Sequence, residues 1–398
     1  MQTVPLIDKY IPEFVAIRRD IHQHPEIGFE EGRTSDLIAS LLSSWNIQVC
    51  RKIGVTGLVG VLKGKKGFGP TIGLRADMDA LPMQEETSLP YSSKYDGKFH
   101  GCGHDGHVAT LLAAAKYLAA TQEFYGTVIF IFQPAEEGLG GAKAMLQDGL
   151  FDRFPCDSLY GFHNWPELEF GQVAVVPGAC MAGADFFDIK VKGRGAHAGM
   201  PQQSRDPIVV SAHLVTALQT IVSRGIDPID AAVLSITRIN SGHSHNVIPS
   251  DVYMAGTLRY FSEHVRDTVV SDMHRIIDGC AAMFGISAEL VLHRVFSVTN
   301  NSPEASRRVV EAATQVVGAG GIAVLTRPTT SSEDFSEMLS VVPGAYFFIG
   351  HKGAKPLHHP EFLFDDGAIA VGASVLSRLV ENYSEQALGS SDPINPNA

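Results

Sequence analysis

The sequence predicts an α/β protein whose main domain is interrupted by an inserted, ferredoxin-like α+β domain. Three observations carry this. Short apolar runs bounded by glycine alternate with amphipathic helical stretches through residues 1–181, as in a sheet covered by helices. From 182 to 292 the order changes to β-α-β-β-α-β, and helix–strand alternation resumes at 293. The 398 residues also exceed what one hydrophobic core usually organises. The expected division is 1–181 and 293–384 for the main domain and 182–292 for the insertion, with 385–398, which lacks periodicity, as a mobile tail.

Leu6, Tyr10, Phe14, Ile17 and Ile21 recur every three or four positions, which predicts a helix over 6–24 ended by Pro25. A helix over 34–44 and buried strands over 57–62 and 71–75 follow. The stripe Val108, Leu111, Leu112, Ala115 and Leu118 predicts a helix over 107–120. The run from 126 to 132 is continuously β-branched and aromatic, as suits a strand covered on both faces. In the insertion, 186–192 alternates apolar and polar residues, the pattern of a strand with one wet face. A helix (207–223), two strands (232–239, 252–260), a helix (263–284) and a strand (287–295) complete it. The main domain then supplies a helix over 303–317, a strand over 345–349 and a helix over 366–383.

With 45% hydrophobic and 19% charged residues the chain has a globular composition. A formal net charge of −12 argues against a nucleic-acid partner, whose phosphates demand cationic side chains. No apolar run of about 18 residues predicts a membrane span, and the N-terminus lacks the basic and apolar regions of a secretory leader. The five cysteines are scattered without a Cys-x-x-Cys, which fits a reducing cytoplasm better than a disulfide framework.

Four clusters carry candidate chemistry, each expected at a strand terminus of the main domain. In Cys102-Gly-His104-Asp-Gly-His107, a turn aims a thiol and an imidazole at one point, a donor pair suited to a borderline transition metal. The same spacing also fits an inert buried cysteine beside a helix-capping aspartate. Glu136 and Glu137 directly follow the core strand, where ligands gather in open α/β sheets, and adjacent carboxylates there call for a cation or a proton. His163 ends another apolar strand, and His358-His359 follows the strand that ends near Ile349.

Taken in order, Leu74-Arg-Ala-Asp77-Met-Asp79-Ala-Leu-Pro82, His100-Gly-Cys-Gly-His-Asp105, Gln133-Pro-Ala-Glu-Glu137, Gly193-Arg-Gly-Ala-His197, His245-Asn-Val-Ile-Pro249, Ser332-Glu-Asp-Phe335 and Leu357-His-His-Pro360 are similar to the motifs of a known family. The chain resembles the dinuclear metallo-amidohydrolases that include hippurate hydrolases, N-acyl-amino-acid amidohydrolases and auxin-conjugate hydrolases. The resemblance implies a metal-binding α/β catalytic domain with an inserted lid through which chains pair as homodimers or homotetramers. It implies Cys102, His104, Glu137, His163 and His358 as ligands of two divalent ions, zinc or manganese with cobalt or nickel as further candidates, and Cys102 as their bridge. It implies Glu136 as general base to a metal-activated water, and His197 on the lid as a group reaching the substrate, often across the dimer. Asn246 and Arg259 are candidate substrate contacts, Arg259 being equally suited to an inter-strand ion pair.

The related peptidases carry His-x-Asp where this chain has Arg75-Ala-Asp77. A guanidinium has no lone pair for a metal, so His104 is the expected histidine ligand, and Asp77 either orients the catalytic groups or caps a turn. His107, one turn after His104, is expected beside the ligands rather than among them. The reaction implied is hydrolysis of small N-acyl-amino acids to a carboxylic acid and an amino acid. The alternative is a dinuclear carboxypeptidase or dipeptidase acting on short peptides. A cysteine hydrolase using Cys102 and His104, or a non-catalytic metal-binding protein, are the remaining readings.

Overall fold

The computed structural model describes residues 1–325, 327–351, 353 and 355–389. The chain opens with helices α1 (Pro5–Gln23) and α2 (Gly32–Ser44), then strands β1 (Gln48–Arg51), β2 (Leu58–Lys63) and β3 (Thr71–Asp77). Helix α3 (His104–Thr121), β4 (Thr127–Gln133), α4 (Gly141–Gln147), α5 (Leu150–Arg153), β5 (Ser158–Trp165), β6 (Val173–Val175) and β7 (Gly178–Met181) follow. Next come β8 (Gly183–Lys192), β9 (Ala196–His197), α6 (Pro207–Thr220), β10 (Ala232–Asn240), β11 (Val247–Ile248), β12 (Asp251–Tyr260), α7 (Glu263–Phe284) and β13 (Ser287–Phe296). The chain closes with β14 (Thr299–Asn301), α8 (Pro303–Val317), β15 (Ile322–Ala323), α9 (Phe335–Leu339), β16 (Gly344–Gly350) and α10 (Ala368–Gly389).

Two compact units result. The first holds Met1–Cys180, Asn300–Arg327 and the chain from Asp334 onward; the second holds Met181–Thr299 and Pro328–Glu333. The second unit thus runs beyond 292, because β13 continues to Phe296 paired with β8, with one register shift between Arg294 and Phe296. Residues 385–389 extend α10 instead of starting a tail, and 390–398 lie outside the described residues.

The first unit is built on a mixed eight-stranded sheet of order β1-β2-β4-β3-β5-β16-β6-β15. Strands β4, β3, β5 and β16 are mutually parallel neighbours, and β4, β5 and β16 are buried almost end to end, as parallel strands covered on both faces must be. Beyond its polar first turn, helix α3 is mostly apolar, and it lies inside the core with α1 and α10. It starts at His104, one turn before the apolar stripe predicts, because Gly103 takes a left-handed φ of +91° and turns the chain into the helix. A Cβ there would also come within 2.4 Å of the Asn164 amide oxygen, so a side chain is excluded twice over.

The second unit is a four-stranded antiparallel sheet of order β10-β12-β8-β13, the ferredoxin-like arrangement, with α6 and α7 packed on one face. Phe187, Ile189 and Val191 of β8 point into that core while Phe186, Lys190 and Lys192 do not, matching the alternation in the sequence. Asp206 and Ser262 cap the two helices with side-chain hydrogen bonds. The segment Pro207–Gly225 is long and apolar enough to cross a membrane by length and composition. Its stripe Val210, Leu214, Leu218 and Ile221 lies in the core of this unit.

Asp185, fully buried on β8, accepts hydrogen bonds from Tyr260 Oη at 2.9 Å and Arg266 Nε at 2.8 Å. Asp185→Ala leaves both donors without that acceptor and is expected to cost about 2 kcal/mol. Calorimetry should show an earlier unfolding transition, while Asp185→Asn, which keeps an acceptor oxygen, should fall between the two.

Candidate metal centre

β3 and β4 run parallel and end at Asp77 and Gln133, so their carboxyl ends open on one edge of the sheet. Asp77 closes β3, Glu136 and Glu137 sit in the turn after β4, and His163 lies near the end of β5. Cys102 and His104 depart from the expected strand terminus: they belong to the start of α3, far along the chain from β3. His358 lies well past the end of β16, on a loop pinned by a hydrogen bond from its own N–H to the Gly101 carbonyl at 2.9 Å. His358 and Ala135 both have positive φ (63° and 54°), conformations that side chains adopt only when their surroundings hold them there.

The donor atoms of Cys102, His104 and His163 lie within 4.8 Å of one another, and so do those of Cys102, Glu137 and His358. Cys102 belongs to both groups. His104, Glu136 and Glu137 form a third such group. Cys102 Sγ is 3.4 Å from His163 Nε2, and His358 Nε2 is 3.2 Å from Glu137 Oε1. His163 donates its Nδ1 proton to the Asn164 carbonyl at 2.7 Å, which leaves the Nε2 lone pair facing the thiol. All five expected ligands therefore meet at one place, with Glu136 beside them.

His104 is fully buried, and neither of its ring nitrogens has a hydrogen-bond partner among the described residues. Glu137 Oε1 and Asp79 Oδ1 are likewise buried without one. The nearest approaches are carboxylates: Asp79 Oδ1 at 3.3 Å, Asp77 Oδ2 at 3.8 Å and Glu137 Oε1 at 4.0 Å. Burial alone would lower the His104 pKa, but Asp77, Asp79 and Glu137 outweigh it and raise it to about 10. Cys102 moves well above its usual range, first through burial and then through Glu137 and Glu136, and burial holds His163 well below its own. A neutral thiol beside an imidazole that resists protonation is the reverse of a cysteine-nucleophile pair. Thiol, imidazole and carboxylate donors converging with unpartnered buried atoms are what divalent cations need.

The surrounding groups fix these donors. Both oxygens of Asp77 are occupied, Oδ1 by His107 Nδ1 at 2.6 Å and Oδ2 by Arg75 Nη1 at 2.8 Å. His107 in turn stacks on His104 with ring centroids 5.4 Å apart. Arg75 also donates to Gln133 at 2.8 Å, and Gln133 donates to Asp334 at 2.6 Å, tying β3 and β4 together beneath the site. Three contributors escaped the sequence reading. Asp79 accepts the Glu137 N–H at 3.0 Å; Asn164 bridges His107 and His351; Asp334 also accepts the Ala142 N–H at 2.9 Å. The Asp77-x-Asp79 spacing was the available signal for the first and the Ser332-Glu-Asp-Phe335 motif for Asp334; only tertiary structure reveals Asn164.

His197, Asn246 and Arg259 belong to the second unit. His197 pairs with Val247 between β9 and β11 and lines a hollow of about 830 Å³ together with Asn240, His243 and Tyr253. Its Nδ1 accepts the Gly199 N–H at 3.0 Å, so the neutral ring carries its proton on the outward Nε2. Asn246 is exposed and its side chain accepts from Ser244 at 2.7 Å. Arg259, half-buried on β12, donates to Leu258 O at 3.3 Å and to the Thr257 hydroxyl and has no carboxylate partner among the described residues, so it makes no inter-strand ion pair.

Residues 73–382 match the family model described as peptidase family M20/M25/M40. The chain belongs to this family. It is 41% identical to the hippurate hydrolase of Campylobacter jejuni over 96% of this chain and all of that one. It is 38% identical to an N-acetylcysteine deacetylase of Bacillus subtilis, covering 92% of this chain and 95% of that one. Among solved structures it superposes on the YxeP protein of Bacillus subtilis, described as a dinuclear metal-binding peptidase of the same family, with a TM-score of 0.84 and 34% identity over 95% and 99% of the two chains. The chain is accordingly a metal-dependent hydrolase acting on linear amide bonds.

His104 and Cys102 both carry protons at neutral pH in the metal-free site, because their pKa values are raised. Metal binding must expel them. Titrating the metal-free protein with Zn²⁺ in two buffers of different ionisation heat should reveal release of one proton from each group, and the apparent affinity should rise with pH. Metal uptake with fewer than two protons released contradicts this charge assignment.

Proposed function

We propose that this protein hydrolyses N-acyl-amino acids of the hippurate and N-acetyl-amino-acid kind to a carboxylic acid and a free amino acid, using two divalent ions. The observation that carries the reading is Cys102 shared between two three-residue donor groups, with the carboxylate of Glu136 grouped beside them with His104 and Glu137. Cys102, His104, His163, Glu137 and His358 would hold the two ions, Cys102 being the residue common to both donor groups. Thiolate and imidazole suit zinc, and the carboxylates also admit manganese, cobalt or nickel.

When bound, the ions polarise the amide carbonyl and make a water nucleophilic near neutral pH. Glu136 takes a proton from that water as its oxygen adds to the carbonyl carbon. The same proton passes to the amide nitrogen, the C–N bond breaks, and the amine leaves neutral. His197 donates its Nε2 proton as a hydrogen bond to the developing oxyanion. Arg259, a partly desolvated guanidinium without a carboxylate partner among the described residues, suits the carboxylate of the amino-acid moiety, with Asn246 as a second polar contact. Asp77 holds His107 in orientation, and His107 stacks on His104. We take the second unit as the lid that carries His197, and its pairing into homodimers or homotetramers as the means of presenting that histidine to a neighbouring site. A small N-acyl-amino acid, rather than nucleic acid or membrane, is the partner, and a cytoplasmic location fits the reduced cysteines.

The second reading, a carboxypeptidase or dipeptidase, is favoured by the description of YxeP as a peptidase. Turnover of N-benzoylglycine and N-acetyl-amino acids beside dipeptides, before and after chelation and refilling, decides between them. The amidohydrolase reading expects chelation to abolish hydrolysis and expects the N-acyl substrates to be cleaved at least tenfold faster, about 1.4 kcal/mol at the transition state. A preference for dipeptides reverses the assignment.

Glu136→Gln should keep both metals while kcat falls by about 10²- to 10⁴-fold, because an amide cannot carry the proton. Loss of metal together with activity makes Glu136 a ligand instead. His197→Ala should also retain the metals, with kcat falling by about 10²- to 10³-fold. Mixing the two inactive variants should restore part of the activity if His197 serves a neighbouring chain. Proven mixed dimers without recovery assign His197 to its own chain.

A further inference from the structure

Between the end of β4 and the start of α4, the chain makes one tight turn that carries both Glu136 and Glu137. The two amides flanking Glu136 are each taken by a carboxyl group from elsewhere in the first unit. Glu137 N–H donates to Asp79 Oδ2 at 3.0 Å, and Ala135 N–H donates to Glu31 Oε1 at 2.8 Å. Glu31 stands at the start of α2, fully buried, and its other oxygen meets the Thr56 hydroxyl. No step of the proposed reaction uses it.

The residue it grips is the strained one. Ala135 is fully buried with φ at +54°, a left-handed conformation in which Cβ crowds its own carbonyl. The Ala135 carbonyl is held as well, accepting the Gly141 N–H at 3.0 Å. On the opposite side, Gly28 approaches so closely that a Cβ there would lie 2.9 Å from Ala135 Cα. Relaxation of Ala135 to an ordinary conformation would redirect the next two residues, the base and a ligand, together.

We infer that Glu31 is a positioning residue: its carboxyl clamps the Ala135 amide and thereby fixes the turn from which Glu136 and Glu137 diverge. The inference rests on the amidohydrolase reading only for the reaction that serves as one readout. Burial, opposed by the hydrogen bonds from Thr56 and Ala135, pushes the Glu31 carboxyl up to about 7, so a neutral side chain with one acceptor oxygen is compatible with this place.

The test compares the wild-type chain with Glu31→Gln, which keeps an acceptor for Ala135, and Glu31→Met, which fills similar space without one. Three quantities are read: kcat and KM on N-benzoylglycine, metals bound per chain, and hydrogen exchange of the peptide containing Ala135. Glu31→Gln should keep kcat within about threefold and keep the amide protected. Glu31→Met should lose about 10- to 100-fold in kcat with KM changed less than about threefold, since only the placement of the reacting groups is disturbed. It should retain its metals and exchange the Ala135 amide at least about tenfold faster. If Glu31→Met does not fold, Glu31→Asp, too short to reach Ala135, should give the same pattern. Wild-type kcat and protection in the variant without an acceptor overturn the clamp, as does a Gln variant that falls as far as Met. If the wild-type protein cleaves no N-acyl-amino acid, the functional reading fails, and amide exchange still decides whether Glu31 holds the turn.

Discussion

The dominant constraint on this structure is an excess of negative charge placed where water cannot reach it. Asp77, Asp79, Glu136 and Glu137 surround His104 at one end of the sheet, and the first three are at most 6% exposed. Donor atoms of His104, Glu136 and Glu137 all fall within 4.8 Å of each other. Two carboxylates at such a separation repel by about 3 kcal/mol at an effective dielectric of about 20. Arg75 neutralises Asp77 from below, but the open side faces the converging donors of Cys102, His163 and His358. A proton on His104 relieves part of this field; divalent cations relieve it and occupy the unpartnered donor atoms as well.

Much of the surrounding architecture serves to hold charges that would otherwise separate. Arg75, Gln133 and Asp334 link β3, β4 and the N-terminal turn of α4 through one buried chain of hydrogen bonds. His107 fits between His104 and His163 and spends its Nδ1 on Asp77, so the helix that delivers one ligand also braces the others. The positive φ angles at Ala135 and His358 show where the chain is bent against its preference to bring a ligand into place. Among the described residues, the buried atoms without a hydrogen-bond partner include Asp79 Oδ1, both His104 ring nitrogens and Glu137 Oε1 at the centre.

The period of apolar residues made most of the fold legible before any coordinates. Helices 263–284 and 303–317 match their observed limits, since Ser262 and Ser302 cap them and proline or glycine marks an end. The start of α3 was misjudged because its first turn, His104 to His107, is polar yet wholly buried; an apolar stripe cannot mark residues whose burial is driven by a cation site. Short strands such as β6, β11 and β15 have too few residues to show a period. The residues whose donor atoms converge stand in motifs that are legible in order, but histidine density alone misleads. His22 and His100 are equally buried, yet His22 belongs to a network around Arg18, lying 2.8 Å from Asp105, and neither His100 ring nitrogen has a hydrogen-bond partner among the described residues. Glu31 and Asn164 act on the site across the fold, and no local spacing announces a contact of that range.

The account stands or falls on two cations sharing one sulfur. Diffraction from crystals of the metal-loaded protein, recorded on either side of the metal absorption edge, locates each ion directly. The predicted result is two anomalous peaks about 3.5 to 4 Å apart, with Cys102 Sγ bonded to both, His104 and His163 on one side, and Glu137 and His358 completing the other. A single peak, or two ions with Cys102 bound to neither, would contradict it.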